Sequence, residues 1–157
     1  MEILSNSEAE SEAIGRAIGV SVTAGDVIGL LGELGAGKTR LAKGIALGLE
    51  VTEHEEVRSP TFVIVREHPG RLRLFHVDVY RLNGAGELWG LGWEEMLNQG
   101  GLMIVEWAER VAQALPVDRL TVELEMAGAN SRRVRMSSGG SESKDLLGRI
   151  CQRWSDR

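Results

Sequence analysis

The residues GELGAGKT, Gly32 to Thr39, constrain this chain more than any other stretch. Gly32, Gly37, Lys38 and Thr39 satisfy G-x-x-x-x-G-K-[ST], a pattern in which every part has a physical task. Gly32 and Gly37 let the backbone bend so that its N–H groups face one point, and Gly35 and Ala36 keep bulk away from that point. The positive end of a following helix completes a cradle for phosphate. Lys38 is placed to reach β- and γ-phosphates, and Thr39 to offer its hydroxyl to Mg²⁺, a hard ion that takes one or two protein oxygens alongside phosphate oxygens. Glu33 and Arg40 flank these groups and join the candidate nucleotide-binding set. The loop alone does not say what the nucleotide is for, because the same cradle serves kinases, switches and assembly factors.

The neighbouring sequence supplies the context that such a loop requires. VIGLL, Val27 to Leu31, is short and apolar on both faces, which predicts a buried central strand. Thr39 to Leu49 carries Leu41, Ile45 and Leu49 four apart, which predicts a helix starting at the loop. An earlier helix is predicted from Ser7 to Ile18. FVIVREHPGRLRLFHVDVY reads as two strands turning at Pro69-Gly70, and LMIV, Leu102 to Val105, as another buried strand. Short helical turns are predicted around NGAGELWGLGWEEMLNQGG, and AERVAQAL reads as helical up to Pro116. RLTVELEM and RRVRM read as two alternating strands, and a closing helix is predicted from Ser143 to Trp154. The whole predicts an α/β chain: a single-domain P-loop NTPase fold over residues 1–157, with a mixed central β-sheet flanked by helices.

Bulk properties narrow the partners. At 157 residues, 43% hydrophobic and 26% charged, the chain suits one globular domain. A net charge of -5 argues against a surface built to hold DNA or RNA directly. Cys151 is the only cysteine, so neither an internal disulfide nor a cysteine metal cage is available. The acidic start and the lack of a long apolar run point away from the membrane and towards the cytoplasm.

A phosphate loop needs a carboxylate near the end of an adjacent apolar strand, for Mg²⁺ or for water. Two fit, and both are candidate catalytic residues. Glu106 directly follows LMIV, where burial is costly unless a cation or donor meets it; the other reading is a helix N-terminal carboxylate. Asp78 shares one strand face with His76 and Tyr80, opposite Phe75, Val77 and Val79. It could equally cap the next turn or pair with Arg81. His76 reads as a hydrogen-bonded structural histidine and Tyr80 as a packing residue. Ser59-Pro60-Thr61 is either a switch-type turn, with Thr61 as a supporting residue, or a plain strand entry. Arg132, Arg133 and Arg135 read as a solvated strand face, with Arg133 as an alternative contact for the nucleotide.

GELGAGKT, SPTF (Ser59 to Phe62), HVDVYRL (His76 to Leu82) and VEW (Val105 to Trp107), in this order, closely resemble the TsaE family, also called YjeE. These are bacterial ATPases required for threonylcarbamoyladenosine modification of tRNA. The resemblance spans about Gly29 to Glu109 and implies a compact P-loop fold that binds ATP and Mg²⁺. It also implies partnership with TsaB and TsaD, with tRNA reached through that complex. By motif position it implies Mg²⁺ on Thr39 and Glu106, hydrolysis supported by Asp78, and Trp107 beside the site. Glu33 stands where the family often has Asp, and Arg40 where a small hydroxyl residue is frequent. A small-molecule kinase and a GTP-operated switch are the alternatives. The first lacks a clear Arg-rich lid, and the second lacks an Asn-Lys-x-Asp stretch for guanine.

Overall fold

A computed structural model describes residues 1–52 and 65–157. SPTF, and with it Thr61, lies outside the described residues. Thirteen elements are defined: β1 (Glu2–Ser5), α1 (Glu8–Ser21), β2 (Val27–Leu31), α2 (Lys38–Gly48), β3 (Val65–His68), β4 (Leu74–Asp78), α3 (Ala85–Trp89), α4 (Trp93–Asn98), β5 (Leu102–Glu106), a 3₁₀ turn (Ala108–Val111), β6 (Leu120–Met126), β7 (Arg132–Ser138) and α5 (Ser141–Ser155). The strands form one seven-stranded mixed sheet in the order β1-β7-β6-β2-β5-β4-β3. β2 lies centrally and runs parallel to β5 and β6, while β3 and β7 pair antiparallel with their neighbours.

Strand parity divides the core into two layers. Ile28, Leu30, Leu74, Leu102, Ile104 and Val122 face α1, α2 and α5. Val27, Val77, Met103 and Val105 face the opposite way, onto Leu88, Trp93, Ala108 and Val111. Because successive strand side chains alternate, Glu106 follows Leu102 and Ile104 to the α2 side, and His76 and Asp78 follow Leu74. This parity brings the polar ends of β4 and β5 to the phosphate-loop helix.

Helix α2 is itself held by an unusually close approach to α1. A Cβ added at Gly15 would meet the Leu41 carbonyl, and one at Gly19 the Ile45 carbonyl. Conversely, a Cβ at Gly44 would meet the Glu12 carbonyl, and one at Gly48 the Arg16 carbonyl. Glycine spaced four apart on both helices lets backbone lie on backbone.

The structure corrects three readings. β1, hidden in an acidic start, pairs antiparallel with β7. AERVAQAL forms only a 3₁₀ turn and looser turns, because Trp107 enters in the left-handed region at φ 62° and the following bonds run i to i+3, as from Arg110 N to Trp107 O. Four of its five apolar residues, Ala108, Val111, Ala114 and Leu115, are nevertheless buried. Ser7 caps α1 by accepting from the Glu10 amide, but the helix runs on to Ser21. Gly44→Ala is predicted to destabilise the fold by about 1–3 kcal/mol through overpacking. Gly148→Ala, on exposed α5 where a Cβ meets nothing, is predicted to stabilise it by about 0.5–1 kcal/mol. Chemical denaturation of both variants checks the pair, and equal shifts would contradict the close-packing account.

Candidate functional site

Gly32, Gly35 and Gly37 all adopt positive φ, at 144°, 82° and 103°, so the loop wraps around its own amides. Gly32 also passes so close to the Leu124 carbonyl that no Cβ fits. Gly37 is the N-cap of α2 and offers no side-chain acceptor, which leaves the first amides of the helix available to an anion.

Lys38 is only 5% exposed. Its Nζ donates to the carbonyls of Gly32 and Glu33, the latter at 2.9 Å, and lies 3.8 Å from the centroid of the Trp107 ring. Burial pushes the Lys38 ammonium below its ordinary pKa, against the opposing pull of Glu106, Glu109 and Asp78. The loop thus holds a desolvated cation close to several carboxylates. Trp107 is fixed in turn by the Tyr80 ring, centroid to centroid 4.9 Å, and by the nearby Arg110 guanidinium. A bulky side chain at positive φ stores strain of order 1–3 kcal/mol, and here that geometry turns the indole over the phosphate-loop lysine.

Glu106 is 2% exposed, and its two oxygens have different partners. Thr39 Oγ1 donates to Oε1 at 3.1 Å, and His76 Nε2 lies 2.8 Å from Oε2. Asp78 pairs in register with Glu106 across β4 and β5. Asp78 Oδ1 accepts from the Tyr80 amide at 2.9 Å, so the turn-capping reading of this residue holds. It also lines the cleft. The cleft, of about 370 Å³, is bounded by Leu34, Gly35, Gly37, Lys38, Thr39, Asp78, Tyr80, Glu106 and Trp107.

The donors suit Mg²⁺: a hydroxyl and a carboxylate, both hard oxygens within hydrogen-bonding distance, at the start of the phosphate loop's helix. Among the described residues no group of three or more His, Cys, Asp or Glu gathers as a metal cage. The oxygens present therefore fit an ion that completes its shell with phosphate and water.

Two sequence candidates, Arg133 and Arg40, do not line this cleft. Arg133 pairs with Glu2 and Glu125 on the outer sheet face, at 3.4 and 3.3 Å, and does not line the cleft. Arg40 pairs with Glu8 and with Glu12 on α1. The arginine that reaches the loop is Arg132, whose Nε donates to the Ala36 carbonyl at 3.1 Å. Period-2 alternation could have separated it from Arg133 and Arg135. Glu8, Ser11, Gly35, Gly37, Arg40, Asn130 and Arg132 line a smaller recess of about 140 Å³ on the α1 side of the loop.

Comparison with known proteins meets this geometry from outside. The family model described as "Threonylcarbamoyl adenosine biosynthesis protein TsaE" matches residues 5–134. The chain is 39% identical over 138 residues to the tRNA threonylcarbamoyladenosine biosynthesis protein TsaE of Bacillus subtilis, covering 87% of this chain and 85% of that one. It is 36% identical over 137 residues to the TsaE protein of Treponema pallidum, covering 87% of this chain and all of the relative. The crystal structure of Bacillus subtilis YdiB superposes with a TM-score of 0.85 at 31% identity, covering 100% of this chain and 96% of that one. Loop, carboxylate strands, sheet order and sequence likeness agree, and the chain belongs to the TsaE family of tRNA threonylcarbamoyladenosine biosynthesis proteins.

Proposed function

We propose that the protein is a Mg²⁺-dependent ATPase that works in the cytoplasm with TsaB and TsaD in the threonylcarbamoyladenosine modification of tRNA, driving or resetting that cycle. The observation that carries the reading is the convergence of Lys38, Thr39, Asp78 and Glu106 on one cleft beside the glycine loop.

The loop amides and the first turn of α2 bind the phosphates through preorganised N–H groups. Lys38 exchanges the Gly32 and Glu33 carbonyls and the Trp107 face for the β- and γ-phosphates. That exchange trades two neutral acceptors for anionic ones, which favours a cation already stripped of water. Thr39 and Glu106 would hold Mg²⁺, which when bound would supply positive charge beside the transferring phosphoryl group. Asp78 orients the attacking water, and its bond from the Tyr80 amide fixes the carboxylate that does so. The recess bounded by Ser11, Asn130 and Arg132 suits the base and ribose, on the other side of the loop from the reacting end.

No arginine lines the cleft among the described residues. Stabilising the transition-state charge by an added cation is worth several orders of magnitude in rate in related chemistry. In this reading the chain alone is a slow ATPase, and the modification complex is where turnover rises.

Lys38→Ala is predicted to weaken binding of a fluorescent ATP analogue by roughly 10- to 100-fold, the value of a charge-assisted contact. Unchanged affinity would exclude the phosphate role. Asp78→Asn keeps an oxygen for the Tyr80 amide, so it separates turn capping from chemistry. It is predicted to bind the analogue within a few-fold of the parent while kcat falls by roughly 100-fold or more. A parental kcat would leave Asp78 as a turn cap alone.

A further inference from the structure

The buried pair of His76 and Glu106 goes beyond the nucleotide-binding groups. His76 is fully buried on β4, one strand over from Glu106. An ionised carboxylate only accepts, so its 2.8 Å contact requires the proton on Nε2 of the ring. The other ring nitrogen, Nδ1, finds no partner among the described residues. A buried nitrogen without a partner is unfavourable, and an apolar residue of similar size would fill this strand slot without it. Packing among the described residues therefore does not account for an imidazole here, whereas its bond to Glu106 does.

That bond has a directional consequence. With Oε2 held by His76, the carboxylate plane is set and Oε1 is turned to Thr39 at the start of α2. Ligating carboxylates generally rely on such supporting hydrogen bonds, and their loss typically lowers metal affinity 10- to 100-fold. Leu74 and Phe75 on β4 are buried beside it, so the imidazole stands on a rigid strand.

We propose that His76 is a positioning residue for the metal site: its Nε2–H orients Glu106 so that Thr39 and Glu106 present their oxygens together to the Mg²⁺ that accompanies the nucleotide. This rests on the reading of Thr39 and Glu106 as the Mg²⁺ ligands. His76 is not among the residues lining the cleft, and it acts through Glu106.

The test is a titration of the fluorescent ATP analogue in EDTA and across a Mg²⁺ series, with parent, His76→Leu, His76→Gln and Glu106→Gln. His76→Leu is expected to leave affinity in EDTA unchanged and to raise the Mg²⁺ concentration for half-maximal tightening 10- to 100-fold. His76→Gln, whose amide can donate from near the Nε2 position, is expected to recover most of that shift. Glu106→Gln is expected to abolish the tightening. A folded His76→Leu with parental Mg²⁺ dependence, or equal shifts in the Leu and Gln variants, overturns the positioning role while leaving the ligand reading intact. Parental Mg²⁺ dependence in Glu106→Gln overturns both. ¹⁵N NMR of the ring in the unmodified protein needs no variant to fold: a proton on Nε2 supports the proposal, and a proton on Nδ1 alone overturns it.

Discussion

A buried carboxylate at the end of a central strand is the constraint around which this molecule is arranged. Glu106 is removed from water at the last position of β5, where an unmet charge would be strongly destabilising. Its compensation comes from two directions: a hydroxyl at the start of α2 and an imidazole from β4. Glu106 thereby ties the phosphate-loop helix to two parallel strands. Placing Thr39 at hydrogen-bonding distance requires α2 to be fixed in depth and angle. The glycine-lined contact with α1 supplies that, because backbone packed on backbone tolerates little sliding.

The site gathers positive charge close to where phosphate charge would go. Lys38 is desolvated, capped by the Trp107 face and tethered to two loop carbonyls. An arriving polyphosphate offers stronger acceptors and offsets the burial that lowers the lysine's pKa. Trp107, strained at positive φ and stacked near Tyr80, forms a wall that both rings can share with a ligand. The exposed Leu34 and Tyr80 add apolar surface at the cleft itself.

Much of this was legible before any coordinates. VIGLL forms β2 over the residues read for it, because a short apolar run between a turn and a glycine loop has few other stable fates. Strand parity in HVDVY put His76 and Asp78 together, and the structure places both on the α2 side of the sheet. Other features had no one-dimensional signal. β1 depends on long-range pairing with β7, which four residues with one alternation do not announce. The 3₁₀ turn after β5 follows from the backbone of Trp107, not from the apolar spacing of AERVAQAL. His76 is the hydrogen-bonded buried histidine that was expected, but its partner lies 30 residues away and is not named by the sequence, and Arg132 was masked by the two neighbouring arginines that face solvent. The pairing of glycines on α1 and α2 becomes meaningful only once the two helices are known to touch.

We propose that this cleft hydrolyses ATP slowly by itself and quickly within a partner complex. The most direct measurement is the Mg²⁺-dependent ATP hydrolysis rate of the purified chain, first alone, then with TsaB and TsaD, then with tRNA added. A slow basal rate that rises with the two partners is predicted. A rate indifferent to the partners but raised by a small metabolite would contradict it and point to a kinase.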